Sequence, residues 1–494
     1  MKLRQVLFLA GLLVPARGTA GECEIWSQSR CDARNQGAID LGAAGDTAPR
    51  AWSFDGSGRV WGYEPGLTVW SSPALGVAGG KPLVVAGNYD HTLYAVDAAT
   101  GEVVWRFTTG GPVHAAPVFF RDGARNAVFA ASNDRIVYAI DPASGRQIWV
   151  HAVEDFRPTL GGARLAAACV GGLGERDDAV FVPYWIWDRS LANSMQKSGV
   201  VALAADDGHL LWRADLGDSE LTAAIFARVG DRGLLFLGSA SGNLYALAAR
   251  TGGVLWKKTE LDCVRSQPAF LPAGTGGVLV TGSKFGTVRG LDAGSGAEIW
   301  QYRTGDRITG SPAVLEGKLP RVLVGSYDRK LHALKALDGS PLWYDATRGG
   351  VFSSPALIAE GDAPMVLFSA WDHMLHATDL ARGQPLFSAF TGRPLWNVAG
   401  MDDSNWASPA AGRIHGRWMA FVGSYDGTLR ALPLEAAERS APELRSNLWF
   451  WLSFPMFLLP VAGLALLLTR RDRRRRRAVA LAHAGFSGRS LGAE

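Results

Sequence analysis

A unit of 43 or 44 residues recurs through the middle of the chain and constrains the fold more than any other feature. Each copy holds an alternating apolar segment, a turn containing Gly and a second segment that ends in an aromatic residue, as in LYAVDAATGEVVW at 93–105. Successive terminal aromatics are separated by 44, 63, 44, 44, 43 and 44 residues. A repeat of this length is typical of a four-stranded propeller blade. These aromatics are Trp105, Trp149, Trp212, Trp256, Trp300, Trp343 and Phe387.

Each unit divides into four strands, A to D. A Ser-Pro-Ala-like start opens strand A, an apolar run forms strand B, and a Gly-Ser-aromatic-Asp turn leads into strand C. A Gly with positive φ then permits the tight turn into strand D. We predict an all-β fold, an eight-bladed β-propeller of four-stranded repeats over residues 59–434. Seven blades is the alternative, because the third unit diverges. The predicted strand A starts are near 72, 116, 166, 222, 267, 311, 354 and 408.

The last unit lacks the aromatic strand that ends the others. The stretch RVWGYEPGLTVW at 59–70 resembles the missing piece, and it contains Gly66 and Trp70 at matching places. We therefore predict that Leu67–Trp70 completes the eighth blade, since closing the ring removes exposed sheet edges. Trp70 and the seven other terminal aromatics are expected to pack between neighbouring blades as apolar anchors.

The unit Tyr-Ala-Leu-Asp-x-x-Thr-Gly-x-x-x-Trp resembles the PQQ-like (quinoprotein) repeat over roughly residues 59–432. Families with this repeat include PQQ-dependent alcohol dehydrogenases and the outer-membrane assembly lipoprotein BamB. The resemblance implies the fold, but not the function. It leaves two hypotheses: a non-catalytic protein-interaction scaffold of the cell envelope, or a PQQ- or glycan-binding quinoprotein relative that acts as a dehydrogenase or a ligand sensor.

The resemblance implies that a quinone enzyme would carry an adjacent cysteine pair near the cofactor, and a Glu, an Asn and an Asp around a calcium ion. The sequence has no adjacent cysteines, and nothing assigns Asp402, Asp403 or Asn405 as calcium ligands. We therefore expect no cofactor, no metal ligand and no catalytic residue, with PQQ and calcium as the alternative. Cys23 and Cys31 are candidates for a disulfide in an exported segment, whereas the pairing of Cys169 and Cys263 stays open.

The two ends of the chain indicate export and membrane anchoring. Residues 1–20 resemble a signal peptide, with a basic start, an apolar core and a small-residue cleavage site. Residues 21–58 follow as an N-terminal segment, and 435–447 is a linker. Residues 448–469 carry no charge and would span about 33 Å as a helix, enough to cross a bilayer.

The tail 470–494 begins with a run of Arg, which predicts a cytoplasmic C-terminus and a propeller in the periplasm of a bacterium, at the inner membrane. The formal net charge is +4, but the two basic ends leave the chain between them at −5. This acidic middle argues against nucleic acid as a partner. We instead expect an unidentified envelope or membrane protein.

Aromatic residues at the B–C turns and in irregular segments are the candidates for partner binding. B–C turns and D–A loops share one face of a propeller, and non-repeat insertions often carry function. The repeated Asp beside the turn aromatics is expected to cap its own turn. The insertion 183–198 contributes Tyr184, Trp185 and Trp187, the irregular segment 387–408 contributes Trp406, and the turns contribute Tyr89, Phe285, Tyr327, Trp371 and Tyr425.

Overall fold

A computed structural model describes most of the repeat region. The described residues are 38–41, 51–55, 71–122, 125–153, 161–173, 178–188, 195–259, 261–274, 276–359, 364–390, 407–423 and 428–434. The chain divides into two units, Met1–Glu438 and Arg439–Glu494, and every described residue lies in the first. No helix long and apolar enough to cross a membrane occurs among the described residues. The predicted signal peptide, the span at 448–469, Cys23 and Cys31 lie outside them.

Eight sheets, each built on an antiparallel meander of strands A to D, form the described fold and confirm the eight-bladed propeller. The strands begin close to the predicted starts, and Ala74, Ala269 and Ala313 of the Ser-Pro-Ala-like segments each open a strand A. The first three blades contain β3 (Ala74–Ala78), β4 (Lys81–Gly87), β5 (Thr92–Asp97), β6 (Val103–Thr108); β7 (Val118–Asp122), β8 (Arg125–Ala131), β9 (Ile136–Ile140), β10 (Gln147–Ala152); and β11 (Gly161–Leu165), β12 (Cys169–Gly172), β13 (Asp178–Asp188), β14 (Met195–Ala204), β15 (Leu210–Asp215).

Blades four to seven repeat the same order, and the eighth joins both ends of the described chain. Their strands are β16 (Ile225–Val229), β17 (Arg232–Gly238), β18 (Leu244–Ala248), β19 (Val254–Lys258); β20 (Ala269–Ala273), β21 (Gly276–Gly282), β22 (Thr287–Asp292), β23 (Glu298–Arg303); β24 (Ala313–Leu315), β25 (Arg321–Ser326), β26 (Lys330–Lys335), β27 (Pro341–Ala346); β28 (Ala356–Ile358), β29 (Met365–Ser369), β30 (Met374–Asp379), β31 (Pro385–Phe390); and β32 (Ala410–Ile414), β33 (Arg417–Gly423), β34 (Thr428–Pro433) with β1 (Ala38–Asp40) and β2 (Trp52–Asp55).

The ring is closed by a different segment from the one the sequence predicts. Strand β2 pairs antiparallel with β34, and Trp52 stands opposite Ala431. The terminal aromatics of the other seven blades face an Ala or Gly of strand C in the same way, as Trp105 faces Ala95. Trp52 therefore takes the place predicted for Trp70, and the propeller begins before residue 59. Leu67–Trp70 lies outside the described residues.

An inner strand also ties the N-terminal segment to the eighth blade. Strand β1 pairs parallel with β32, and the Leu41 amide donates to the Arg413 carbonyl at 3.1 Å. The innermost strands then contact one another in a closed circle, in the order β3, β7, β12, β16, β20, β24, β28 and β32. Residues 38–55 thus supply both an inner and an outer strand of the closing blade, which leaves fewer exposed sheet edges.

The terminal tryptophans pack between blades, as the sequence predicts. The Trp149 ring is 7% exposed, and its Nε1 donates to the Ala205 carbonyl of the next blade at 3.0 Å. Equivalent bonds run from Trp105, Trp212, Trp256 and Trp300. Trp343 differs, because its Nε1 has no hydrogen-bond partner among the described residues. The equivalent carbonyl of the next blade, that of Leu380, accepts a hydrogen bond from Arg321 instead.

Serine hydroxyls link the innermost strands along half of the circle. Each hydroxyl of the Ser-Pro-Ala-like starts accepts a backbone N–H from the preceding blade, so blades five to eight and blade one form an unbroken chain of bonds. The bond from the Ser408 amide to Ser72 Oγ, at 3.0 Å, joins the last blade to the first. The other three run from Gln267 to Ser311, from Ser311 to Ser354 and from Ser354 to Ser408.

Candidate functional site

The B–C turns and D–A loops meet on one face, which we call the loop face. Because strands alternate in direction within a blade, these two kinds of connection lie at the same end of the sheet. Backbone bonds confirm the meeting: the Tyr327 amide donates to the Arg307 carbonyl at 3.0 Å, and the Trp371 amide donates to Gly350 at 3.0 Å. Each turn is therefore held by the loop that arrives from the preceding blade.

The repeated aspartates of the loop face cap their turns, as predicted. Asp134 Oδ1 accepts the Ile136 amide at 2.9 Å, and Asp328 Oδ1 accepts the Lys330 amide at 3.1 Å. The second oxygen bonds the preceding loop, as Asp134 Oδ2 does with the Gly110 amide at 2.7 Å. A Tyr or His four residues later adds a third bond, for example Tyr138 to Asp134 at 2.7 Å. These carboxylates thus have structural partners already.

The turn aromatics occupy part of the loop face rather than a full ring. Tyr89 lies 5.6 Å from the His114 ring, and Tyr327 packs edge-on against Trp371 at 5.2 Å. Phe285 does not belong to the set. The Lys284 amide makes the loop bond that the aromatics make elsewhere, so Lys284 holds the aromatic position and Phe285 the position of the aspartate. Tyr425 and Trp406 lie outside the described residues.

The predicted insertion is a long β-hairpin on the loop face. Strands β13 and β14 pair from Ala179↔Ala204 to Asp188↔Met195, and β11 pairs with the distal half of β13. Trp185 and Trp187 stack at 4.4 Å between ring centroids and are half-buried. Tyr184 is 1% exposed, and its hydroxyl bonds Asp215 and Arg213. Tyr184 therefore packs the hairpin root, while the tryptophan pair lies on the opposite side of the strand.

Asp218, which the sequence analysis did not single out, fixes the root of the hairpin to the fourth blade. Its amide donates to Ser198 Oγ at 2.7 Å, and its carboxylate accepts from Asn243 at 2.8 Å and from Tyr245 at 2.6 Å. Ser241 also donates to it. Burial acts to raise the pKa of Asp218, but these hydrogen bonds outweigh it and hold the pKa at about 2.

We expect Asp218→Asn to lower the free energy of unfolding by about 1 kcal/mol at neutral pH, after allowance for solvent screening. A carboxylate whose pKa is lowered on folding contributes fully to the free energy of unfolding at a pH above 3.8, its pKa in the unfolded chain. This contribution is lost as the pH falls towards about 2, its pKa in the folded protein. Denaturant melts of both proteins between pH 2 and 7 should therefore converge at the acid end. A constant difference down to the lowest pH would contradict this role of the charge.

The described cysteines and turn aspartates have structural surroundings of their own. Cys169 and Cys263 are free thiols, and Cys169 is buried, which raises the pKa of its thiol. The turn aspartates Asp328 and Asp372 already bond a histidine and a loop amide each. Among the described residues no cluster of three or more His, Cys, Asp or Glu side chains is placed to hold a metal ion. Asp402, Asp403 and Asn405 lie outside them.

Comparison with solved structures supports the fold. The chain is similar to the quinohemoprotein alcohol dehydrogenase of Comamonas testosteroni, with 15% identity, a TM-score of 0.59, and coverage of 86% of this chain and 82% of that one. A europium-containing methanol dehydrogenase is 14% identical, with a TM-score of 0.58, and the match covers 81% of this chain and 90% of that one. The computationally designed protein Ika8 is 17% identical, with a TM-score of 0.51, and the match covers 74% of this chain and 97% of that one. At these identities the likeness concerns the fold alone.

No curated protein matches the chain significantly. The family model described as outer membrane protein assembly factor BamB matches residues 41–183, 196–270 and 264–400. These segments cover well over half of the chain and almost all of the described blades, and the gap between the first two, residues 184–195, includes the distal half of β13. The chain therefore belongs to the BamB family of PQQ-like β-propellers.

Proposed function

We propose that this propeller is a non-catalytic protein-interaction scaffold of the bacterial cell envelope. In this proposal the loop face binds a partner protein, and the hairpin tryptophans Trp185 and Trp187 form the centre of the contact. The description of its family names an assembly factor of the outer membrane, which supports a role in binding other envelope proteins. The proposed partner is an envelope or membrane protein, and the residues of this chain do not identify it further.

The stacked tryptophan pair is the observation that carries the proposal. Tryptophan is enriched among residues that dominate binding energy, because a large rigid ring buries much area at low entropic cost. Here two such rings are stacked on a hairpin that projects from the regular blade and is not required to complete it. Glu220, in the next loop, bonds Arg164 at 2.5 Å, which gives this apolar pair a charged rim.

The ends of the chain support a location at the inner membrane. A signal peptide at 1–20 would export the propeller, and the uncharged segment 448–469 followed by Arg residues would hold it at the inner membrane with its C-terminus in the cytoplasm. This arrangement would put the loop face in the periplasm.

The test combines a photo-crosslinking amino acid with a paired substitution. The crosslinker replaces Arg164, which stands opposite Trp185 on the same side of the sheet, or, as a control, Arg146 on the opposite face, in the full chain expressed in its native membranes. We expect one protein adduct from position 164 and none from position 146. The double variant Trp185→Ala/Trp187→Ala should reduce that adduct at least tenfold, since two central aromatics contribute about 2 kcal/mol or more each.

A matched variant separates loss of binding from loss of fold. Ile299→Ala/Leu386→Ala removes side chains on outer strands that are 49% and 44% exposed, far from the hairpin in sequence. It should leave the adduct intact, and both double variants should melt close to the parent protein. Equal adducts from positions 164 and 146, or full retention of the adduct without the tryptophans, would rule out the hairpin as the partner site.

A further inference from the structure

A second part of the loop face, on the fifth and sixth blades, carries a concentration of positive charge. These side chains belong to two B–C turns, the end of one outer strand and the two following D–A loops. Three of them are exposed and three are half-buried. We call this group the basic arc, and it consists of Lys284, Arg303, Arg307, Arg329, Lys330 and Arg348.

Few carboxylates offset this charge. Asp306 and Asp328 lie on the same segments, and Asp372 adjoins Arg348 through the bond from the Arg348 amide at 3.1 Å. Asp328 is also bonded to His332 and to a loop amide, so it is already occupied. Because the chain between its two basic ends has a net charge of −5, the basic arc is a local reversal of sign. Such a reversal steers and orients a partner of opposite charge.

An aromatic platform lies inside the basic arc. The Arg307 guanidinium stands 4.1 Å from the centroid of the Tyr327 ring, and Tyr327 in turn packs against Trp371. Gly349 lets the loop lie against the backbone of the Trp371–Asp372 turn, where a Cβ would come within 2.4 Å of the Asp372 nitrogen, and a Cβ at Gly350 would lie 3.2 Å from the Tyr327 ring. The platform is therefore held rigidly by its own turns and offers an apolar surface beside fixed cations.

The combination favours a peptide over a uniformly charged polymer. Arginine side chains bind carboxylates through paired N–H groups, and Arg clusters are a common means of recognising acidic motifs. A polyphosphate or nucleic acid would bring negative charge against Asp306 and Asp328 as well. An acidic peptide can place neutral residues opposite these two carboxylates and an apolar side chain on the Tyr327–Trp371 platform.

We propose that the basic arc binds a linear acidic segment of a partner protein, with an apolar residue of that segment seated on Tyr327 and Trp371. The proposal rests on the proposed scaffold function, because it specifies the chemistry of the bound partner. It uses residues separate from the hairpin, however. The two contacts can therefore be removed one at a time.

The test measures binding of defined peptides to the full chain in mild detergent by fluorescence anisotropy. One labelled peptide alternates Asp and Glu with Leu and Phe, and a second has Lys at every acidic position. We expect only the acidic peptide to bind, and less tightly as salt is added. The variant Arg329→Gln/Arg348→Gln should weaken binding about tenfold, because each exposed charge pair contributes up to about 1 kcal/mol.

The control variant Arg146→Gln/Arg382→Gln changes the net charge equally, at exposed C–D turns of the opposite face. It should bind the acidic peptide as the parent does. Equal weakening by the two double variants, or binding of inorganic polyphosphate without binding of the acidic peptide, would overturn the proposal. If the adduct at position 164 persists in either case, the scaffold function stands and only the acidic-segment assignment fails.

Discussion

Replacing Gly208 with alanine should lower the free energy of unfolding by about 2–4 kcal/mol, whereas the same change at Gly80 should cost about 1 kcal/mol. Both glycines have a φ of 75°. A side chain at either position therefore meets the same backbone strain. The surroundings differ: a Cβ at Gly208 would lie 2.5 Å from the Trp149 ring, and a Cβ at Gly80 would have nothing within 4 Å.

The difference in unfolding free energy between the two variants measures how tightly a terminal tryptophan packs against the turn of the next blade. Each terminal tryptophan from blade one to blade six is covered by the turn glycine of the next blade, as Trp149 is by Gly208 and Trp212 by Gly252. Overpacking of such a site forces the ring or the turn to move. Chemical denaturation of both variants beside the parent protein is the measurement. Equal losses would mean that the turn adapts freely and that the tryptophan contact is not tightly packed.

Much of the fold could be predicted because the repeat encodes it locally. The spacing of the aromatics, the turn glycines and the Ser-Pro-Ala-like starts predicted the strand order and eight blades, with seven as the alternative, and the structure confirms eight blades in this order. The closing strand was missed for a specific reason. Trp70 ends an apolar segment at a plausible distance from the first full unit, and sequence spacing does not distinguish it from Trp52, whose register is set by pairing with Ala431.

The candidate site was predictable only in part. The insertion 183–198 stood out because it breaks the repeat, and the hairpin that it forms was found where expected. Because side chains alternate along the strand, Tyr184 is buried on one side and Trp185 and Trp187 stack on the other. The sequence analysis grouped all three as partner-binding residues and did not make this distinction. The basic arc was missed because its members are scattered from Lys284 to Arg348, and only the meeting of turns and loops on one face brings them together.

Removing residues 21–58 should have the largest effect on the propeller. The deletion takes away β1 and β2, which pair with β32 and β34, and leaves the eighth blade with three strands and an exposed edge on each side. We expect the melting temperature of the protein to fall by on the order of 10 °C and the protein to associate, since unpaired edges template contacts with other chains. Differential scanning calorimetry and light scattering would measure the two effects.

Deletion of residues 21–36 is the matched control, because it removes chain from the same end but stops before Ala38. It should melt like the parent protein. The comparison also tests whether a second segment can replace the closing strand Trp52–Asp55. If the protein without residues 21–58 keeps the parent melting temperature, then Leu67–Trp70 can pair with the Thr428–Pro433 strand as the repeat pattern predicts. A large loss would instead mean that no other segment replaces Trp52–Asp55, and that the Ser408–Ser72 bond is insufficient to hold the last blade to the first.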